Sequence, residues 1–324
     1  MVSLNAFILL LGFFALIKGA DLFVEGSAGI AKNYKVPSLI IGLTIVAFGT
    51  SAPELAVSAS AAVQGSNEIA LSNVIGSNIF NLLCVLGFCA MIHPVPVDSD
   101  ILKRDFPLYL LSTAFILAGT GAAAIGRLPE ITMEETTGTV NRIMASILLI
   151  GFIAYIVSLI SDARKRPAPS EQAELQPVWK CVFSTLAGLA IIIGGGQATV
   201  YGAKEIARAA GMTETLIGLT IVAVGTSLPE LVTSLTAAKK GETELAFGNV
   251  IGSNLVNTML ILSVSSLIHP VSVNFASVCD LAILLILSAL AFVFSLTAKT
   301  ITRTEGVVLA ALYVADMVFA IMRQ

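Results

Sequence analysis

The chain has 324 residues, of which 56% are hydrophobic and 12% charged, with a formal net charge of -3 at pH 7. A water-soluble domain carries about a quarter charged residues, so a mean hydropathy of +0.92 excludes a soluble enzyme and places the chain in a lipid bilayer. There is no basic arm for nucleic acid, and no glycine-rich loop followed by Lys and Ser or Thr for a nucleotide.

Apolar runs of about twenty residues, enough for a hydrocarbon core of about 30 Å, recur at residues 4 to 24, 38 to 62, 70 to 92, 106 to 125, 142 to 161, 178 to 201, 215 to 238, 245 to 268, 279 to 298 and 304 to 322. They predict an all-α polytopic membrane protein with ten transmembrane helices. The first run has neither a small-residue cleavage site nor a polar domain after it, and is read as a retained helix. With ten spans, one side receives Lys32, Lys35, Lys103, Arg104, Arg164, Lys165, Arg166, Lys180, Lys239, Lys240, Lys299 and Arg303. The other side receives Arg127, Arg142, Lys204, Arg208 and Arg323. The richer side is cytoplasmic by the positive-inside rule, so both termini face outward. Cys84, Cys89, Cys181 and Cys279 lie in or at the ends of spans without C-x-x-C spacing, which suits buried structural thiols.

The chain repeats itself. GLTIVAFGTSAPEL at 42 to 55 aligns with GLTIVAVGTSLPEL at 218 to 231, at an offset of 176. The same offset superposes NVIGSNIFN at 73 to 81 on NVIGSNLVN at 249 to 257, and His93-Pro94 on His269-Pro270. The expected organisation is a first half at 1–161, a cytoplasmic linker at 162–177 and a second half at 178–324. Each half has five spans. Five is odd, so the second half enters the membrane from the opposite side, and a substrate site is expected near the midplane, where the two repeats meet on interrupted helices.

The segment AFGTSAPEL at 47 to 55 sets Gly49, Pro53, two hydroxyls and a carboxylate inside an apolar run, and AVGTSLPEL at 223 to 231 does so again. Pro53 cannot donate a backbone hydrogen bond, and the carbonyls near Ala47 to Gly49 need another partner where there is no bulk water. A cation is such a partner. Thr50, Ser51 and Glu54 share one helical face, and Thr226, Ser227 and Glu230 repeat them. A capping box, with Ser51 as N-cap and Glu54 at the third position, is the plainer reading, but it leaves unexplained an acid costing about 2.5 to 3.5 kcal/mol at mid-membrane. Ser77 and Asn81 on the next span, and Ser253 and Asn257 in the second half, complete a set of hard oxygens. That set suits Ca2+ or Na+ better than Mg2+ or a transition metal. The glycines of the NVIGSN copies are assigned to helix packing, Asn78 and Asn254 are left open between a local and a site role, and the His-Pro pairs are assigned to scaffold. Asp316 is read as a packing or surface residue, and Asp21 and Glu25 as solvated.

The doubled G-T-S-x-P-E and doubled G-S-N-x-x-N resemble the two alpha repeats of the cation/calcium exchanger superfamily, in its prokaryotic sodium/calcium exchanger branch. The resemblance covers essentially the whole chain. It implies two inverted five-helix repeats and an ion site built by Thr50, Ser51, Glu54, Ser77 and Asn81 with Thr226, Ser227, Glu230, Ser253 and Asn257, joined by the backbone oxygens of Ala47 and Ala223. It also implies a secondary antiporter of the prokaryotic inner membrane that exchanges Ca2+ for Na+ by alternating access. No cofactor and no obligate protein partner are implied. Where many members carry an Asp in the second repeat this chain has Asn257, which argues against potassium co-transport. A proton-coupled calcium antiporter using the same glutamates is the alternative. A cation channel is disfavoured because the pseudo-symmetry is internal, and a hydrolase because no His or Asp is suited to activate Ser or Thr.

Overall fold

In the computed structural model, which describes residues 2–65, 67–125, 131–165, 176–211, 223–297 and 299–322, the chain is an α-helical membrane bundle. Helix α1 spans Val2–Tyr34. α2 covers Ser38–Thr50, with a π-helical turn at Gly42–Val46, and α3 is Ala52–Val63. α4 runs from Asn67–Ile79 through π-helical Phe80–Val85 into Leu86–Ile92. α5 is Phe106–Ile125, α6 Arg142–Lys165 and α7 Val178–Ala209. α8 is Ala223–Thr226 and α9 Leu228–Lys239. α10 runs from Thr243–Leu255 through π-helical Val256–Ile261 into Leu262–Ile268, followed by α11 at Phe275–Leu296 and α12 at Arg303–Met322.

Among the described residues, seven helices are long and apolar enough to cross a membrane, or eight when the bent pair α2–α3 is one span. The expected count of ten needs α5 and α8–α9 as well, and residues 215–222 of the latter run lie outside the described residues. So does most of the linker, 166–175. Two spans are longer than the hydropathy suggested. α1 continues from 24 to Tyr34 and α7 from 201 to Ala209, because each carries its polar last turns beyond the lipid as continuous helix.

Polar contacts tie the helix ends into two faces. On one, the strand β1 (Val95–Pro96) pairs antiparallel with the strand at Thr300–Ile301, Arg104 bonds Asp162, and Asn33 donates to Gln176 O. Lys240 reaches Asp21 at 3.2 Å and Glu25 at 2.7 Å, so these two acids are bridged to the other half rather than merely solvated. On the opposite face, β2 (Thr136–Val140) pairs with β3 (Val271–Asn274), and Arg142 donates to Leu267 O at 3.2 Å. With Thr300–Ile301 as β4, each ribbon takes one strand from each half. The partition matches the alternation of loops expected from the sequence.

Burial ranks the helices. The membrane windows of α4 and α10 are 78% buried, against 33% for α1 and 11% for α12, so two asparagine-bearing helices form the centre and the others ring it. α1 shows Phe7, Leu10, Leu11, Phe14 and Ile17 outward. Its inner edge is Gly12, Gly19 and Gly26, seven apart, and it meets Gly188, Gly195 and Gly202 of α7, also seven apart and offset from the first set by 176. In lipid the driving force for helix association is close packing, which small residues allow. A Cβ on Gly195 would lie 2.8 Å from Leu16 N and 3.0 Å from Gly12 O, backbone atoms that cannot swing aside. The glycines of the second NVIGSN copy also pack: a Cβ on Gly248 would stand 2.6 Å from Leu39 O. All four cysteines are free thiols, three of them buried.

Gly195→Val should destabilise the protein by about 1–3 kcal/mol through overpacking, while Gly194→Val, where an added Cβ meets nothing within 4 Å, should leave stability unchanged. Thermal unfolding of the detergent-solubilised protein measures both. Equal melting temperatures for the two variants would refute the α1–α7 packing.

Candidate ion site

The bend between α2 and α3 is 48°, and Ser51 sits at it with φ -83° and ψ 7°. Pro53 lies in the first turn of α3 without an N–H to donate, the position where a restarting helix tolerates it. Ser227, at φ -93° and ψ 9°, separates α8 from α9 in the same way, with Pro229 after it. Ser51 therefore holds the N-cap position, but its side chain makes no capping bond. Its hydroxyl donates across the molecule to Glu230 Oε1 at 2.9 Å. Reciprocally, the Ser227 hydroxyl donates to Glu54 Oε1 at 2.8 Å. Each repeat's serine serves the other repeat's acid, and the capping box as such is not formed.

Glu54 and Glu230 are both 0% exposed. Neither forms a salt bridge among the described residues, and the second oxygen of each, Oε2, has no hydrogen-bond partner. Ser77 Oγ approaches Glu54 Oε1 at 3.5 Å and Ser227 Oγ at 3.1 Å. Thr50 donates to Asn249 Oδ1 at 3.0 Å, with Ser253 Oγ 3.5 Å away. The Ala47 carbonyl accepts the Ser51 N–H at 3.0 Å, with the Thr50 hydroxyl 3.5 Å away. Ala223 begins α8, and the N–H of Ser227 goes instead to Val224 O at 3.2 Å, so that bond does not occupy the Ala223 carbonyl.

Asn81 and Asn257 sit inside the π-helical turns of α4 and α10. Such turns insert an extra residue and rotate the next stretch of helix, and they recur at functional positions. The Asn257 amide donates to Asn78 Oδ1 at 3.1 Å and the Asn81 amide to Asn254 Oδ1 at 3.2 Å. Both donors are thus consumed by α4–α10 contacts, while Asn81 Oδ1 and Asn257 Oδ1 are left buried without a partner. Thr226 Oγ1 is a fifth such atom. Buried polar atoms rarely stay unpaired; of the eleven that do so among the described residues, five belong to this set.

Sequence reasoning had not included the residues that hold this frame. Asn73 donates to Ser58 Oγ at 2.9 Å and to the Glu54 carbonyl at 3.3 Å, and Asn249 donates to Ser234 Oγ at 2.9 Å. Asn78 donates to Thr258 Oγ1 at 2.8 Å. The signal was present for three pairs, since Asn73/Asn249, Asn78/Asn254 and Ser58/Ser234 are related by the repeat offset. His93 and His269 end α4 and α10, each with Nδ1 near the following proline carbonyl, as scaffold.

A cavity of about 380 Å³ runs between α3, α7 and the second break, from Thr226, Pro53 and Pro229 toward Lys204, Glu205 and Arg208. Among the described residues no cluster of three or more His, Cys, Asp or Glu suits a resident metal. A pair of acids ringed by neutral oxygens is instead suited to a hard cation that comes and goes.

The profile of the family described as sodium/calcium exchanger protein matches residues 4–161 and 180–322. The chain is 38% identical over 317 residues to a putative antiporter CaxA of Alkalimonas amylolytica, covering 94% of this chain and 95% of that one. It is 34% identical over 350 residues to the sodium/calcium exchanger MaX1 of Methanosarcina acetivorans, covering 98% and 99%. A solved structure of the sodium-calcium exchanger NCX_Mj, soaked with Na+ and Sr2+, superposes with a TM-score of 0.82 at 35% identity, over 98% of this chain and 99% of that one. With motifs, fold and relatives in agreement over almost its full length, the chain belongs to the sodium/calcium exchanger protein family, in the prokaryotic branch of the cation/calcium exchangers, and is a transporter rather than an enzyme.

Proposed function

We propose that the protein exports Ca2+ in exchange for Na+, with both ions alternating at one site formed by Glu54, Glu230, Thr50, Thr226, Ser51, Ser227, Ser77, Ser253, Asn81 and Asn257 and the backbone oxygens of Ala47 and Ala223. The observation that carries this reading is the pair of fully buried carboxylates, each with a free oxygen and neither with a basic partner among the described residues. Removing a charged group from water costs several kcal/mol per ion even after relaxation. One Ca2+ neutralises both acids, and so do two Na+; an empty site neutralises neither. Reorientation of the empty carrier is therefore suppressed, which couples the two fluxes without ATP.

The neutral oxygens favour Na+ over protons as the coupling ion. A proton carrier needs only the carboxylates, whereas the unpaired Asn81 Oδ1, Asn257 Oδ1 and Thr226 Oγ1 are acceptors that a bare cation satisfies. The name of the similar MaX1 protein points the same way. The test is radioactive calcium uptake into proteoliposomes with an imposed Na+ gradient and, separately, an imposed pH gradient. Uptake should follow the Na+ gradient alone. Uptake that follows only pH would establish proton coupling, and uptake that follows neither would remove the antiport reading.

The two halves, 1–161 and 178–324, are read as inverted five-helix repeats joined by the linker 162–177. The crossed Ser–Glu bonds and the exchanged β-strands support this reading. The Lys- and Arg-rich face is taken as cytoplasmic and both termini as external, in a prokaryotic inner membrane. A cysteine replacing exposed Ala210 should then react with an impermeant maleimide on intact cells, and one replacing exposed Lys239 only after permeabilisation. The opposite pattern would invert the assignment.

Glu54→Gln and Glu230→Gln keep the shape of the site and remove half its charge. Breaking a buried charge pairing costs about 3–5 kcal/mol, or about two to three orders of magnitude in affinity, so Ca2+ flux in either variant should fall to background with insertion unchanged. Normal exchange in either would exclude the acid from the site.

Asn257→Asp tests the position where this chain departs from its family. The amide donates to Asn78 Oδ1, and Asn78 cannot simply turn over because its own amide is held by Thr258. A protonated Asp keeps that donor and an ionised one loses it. Exchange should persist near neutral pH and fall as the medium becomes alkaline, without a need for K+. A K+ requirement in the natural protein, or pH profiles that coincide for the two forms, would place Asn257 outside the ion site.

A further inference from the structure

A second concave site lies away from the ions, on the face that carries β1 and β4. It is a groove of about 620 Å³ between the end of α1, the outer side of α2 and α6. Its floor and walls are Val36, Ile40, Thr44, Phe48, Ile156 and Ile160. Ile153, Val157 and Ile160 on α6 are about half or more exposed, as is fitting for a surface in contact with lipid. At its mouth stand Tyr34, Lys35 and Arg164. Neither cation makes a salt bridge among the described residues.

Three physical facts determine the ligand that fits there. From Ser38 to Phe48 the helix advances about 15 Å at 1.5 Å per residue, close to one leaflet of a core about 30 Å thick. The groove therefore runs from the interface to near mid-membrane, the path of an acyl chain. Two cations and a Tyr at the interfacial end match an anionic headgroup. The third fact is conformational. Lys35 has φ 55°, a left-handed value that glycine adopts freely and other residues only under steric strain. At the repeat-related position the chain has Gly211, at φ 84°. The backbone at this helix end prefers glycine; the half with the groove carries a lysine there instead.

We propose that this groove binds an anionic phospholipid, with the phosphate between Lys35 and Arg164 and one acyl chain laid along α2 as far as Phe48. Phe48 meets Phe152 with ring centroids 5.6 Å apart and the rings tilted by 55°, and it directly follows Ala47, so the chain end abuts the helix that leads into the proposed ion site. The repeat supplies no second copy of the cation pair, since Lys35 corresponds to Gly211.

The full-length protein, purified in detergent, is titrated with short-chain phosphatidylglycerol, short-chain phosphatidylcholine and inorganic phosphate, with binding read by native mass spectrometry and by thermal shift. Phosphatidylglycerol should bind preferentially. Lys35→Gly and Arg164→Gln should each weaken it about fivefold, and the double variant about thirtyfold. Lys35→Gly relieves the backbone, so without lipid it should melt no lower than the natural protein, which separates lost binding from lost folding. Unchanged phosphatidylglycerol affinity in the double variant, or equal affinity for phosphatidylcholine, would overturn the proposal. Equal protection by inorganic phosphate would make it a free-anion site and overturn the lipid assignment.

Discussion

Two carboxylates stand at the centre of a bilayer-spanning bundle with no basic residue among the described ones to neutralise them, and the surrounding structure is organised around that cost. Glu54 and Glu230 are placed at helix restarts behind Ser51 and Ser227, where the backbone changes direction and a hydroxyl can leave its own helix. Each hydroxyl crosses to the acid of the other repeat. The shortest side-chain bond to each glutamate comes from the other half, so the arrangement is complete only when both repeats are docked. Reciprocal dependence of this kind follows from an in-plane pseudo-two-fold axis: whatever one repeat gives, it also receives.

The polar frame around the acids is built from amides rather than charges. Asn78, Asn81, Asn254 and Asn257 link α4 to α10 through their donors, and the oxygens of Asn81 and Asn257 are left over. In Asn81 and Asn257 the two ends of the amide do different work: the NH2 fixes the side chain to the scaffold and the oxygen is left without a protein partner. The π-helical turns at Phe80–Val85 and Val256–Ile261 set the register that makes this division possible.

Outside that frame the protein is held by close approach. With lipid as solvent, apolar surface gains little from leaving it, and the seven-residue glycine spacing of α1 and α7 lets two backbones meet along most of their length. α7 also forms one wall of the cavity that leads to Thr226. Its opposite edges thus serve different ends, one bound to α1 and one lining a route to the site.

The membrane class, the repeat offset of 176 and the residues that carry oxygen into the bilayer were legible in the sequence. Composition and hydropathy act locally, and an ionisable residue in an apolar run is conspicuous in any fold. The alternation of loops was legible too, because it depends only on span order and Lys and Arg counts. Which oxygens would be paired and which left free was decided by the tertiary structure. Ser51 reads as a helix cap from sequence, yet its hydroxyl turns to an acid 179 positions away, a choice made by the opposing repeat and not by its neighbours. The repeat marked Asn73, Asn249, Asn78 and Asn254, but their partners were hidden for the same reason, since a side-chain amide shows its partner only once two helices are packed. The glycine stripes of α1 and α7 acquire meaning only as a pair. What one segment must tolerate is written in its own residues; what it touches depends on a surface contributed from elsewhere in the chain.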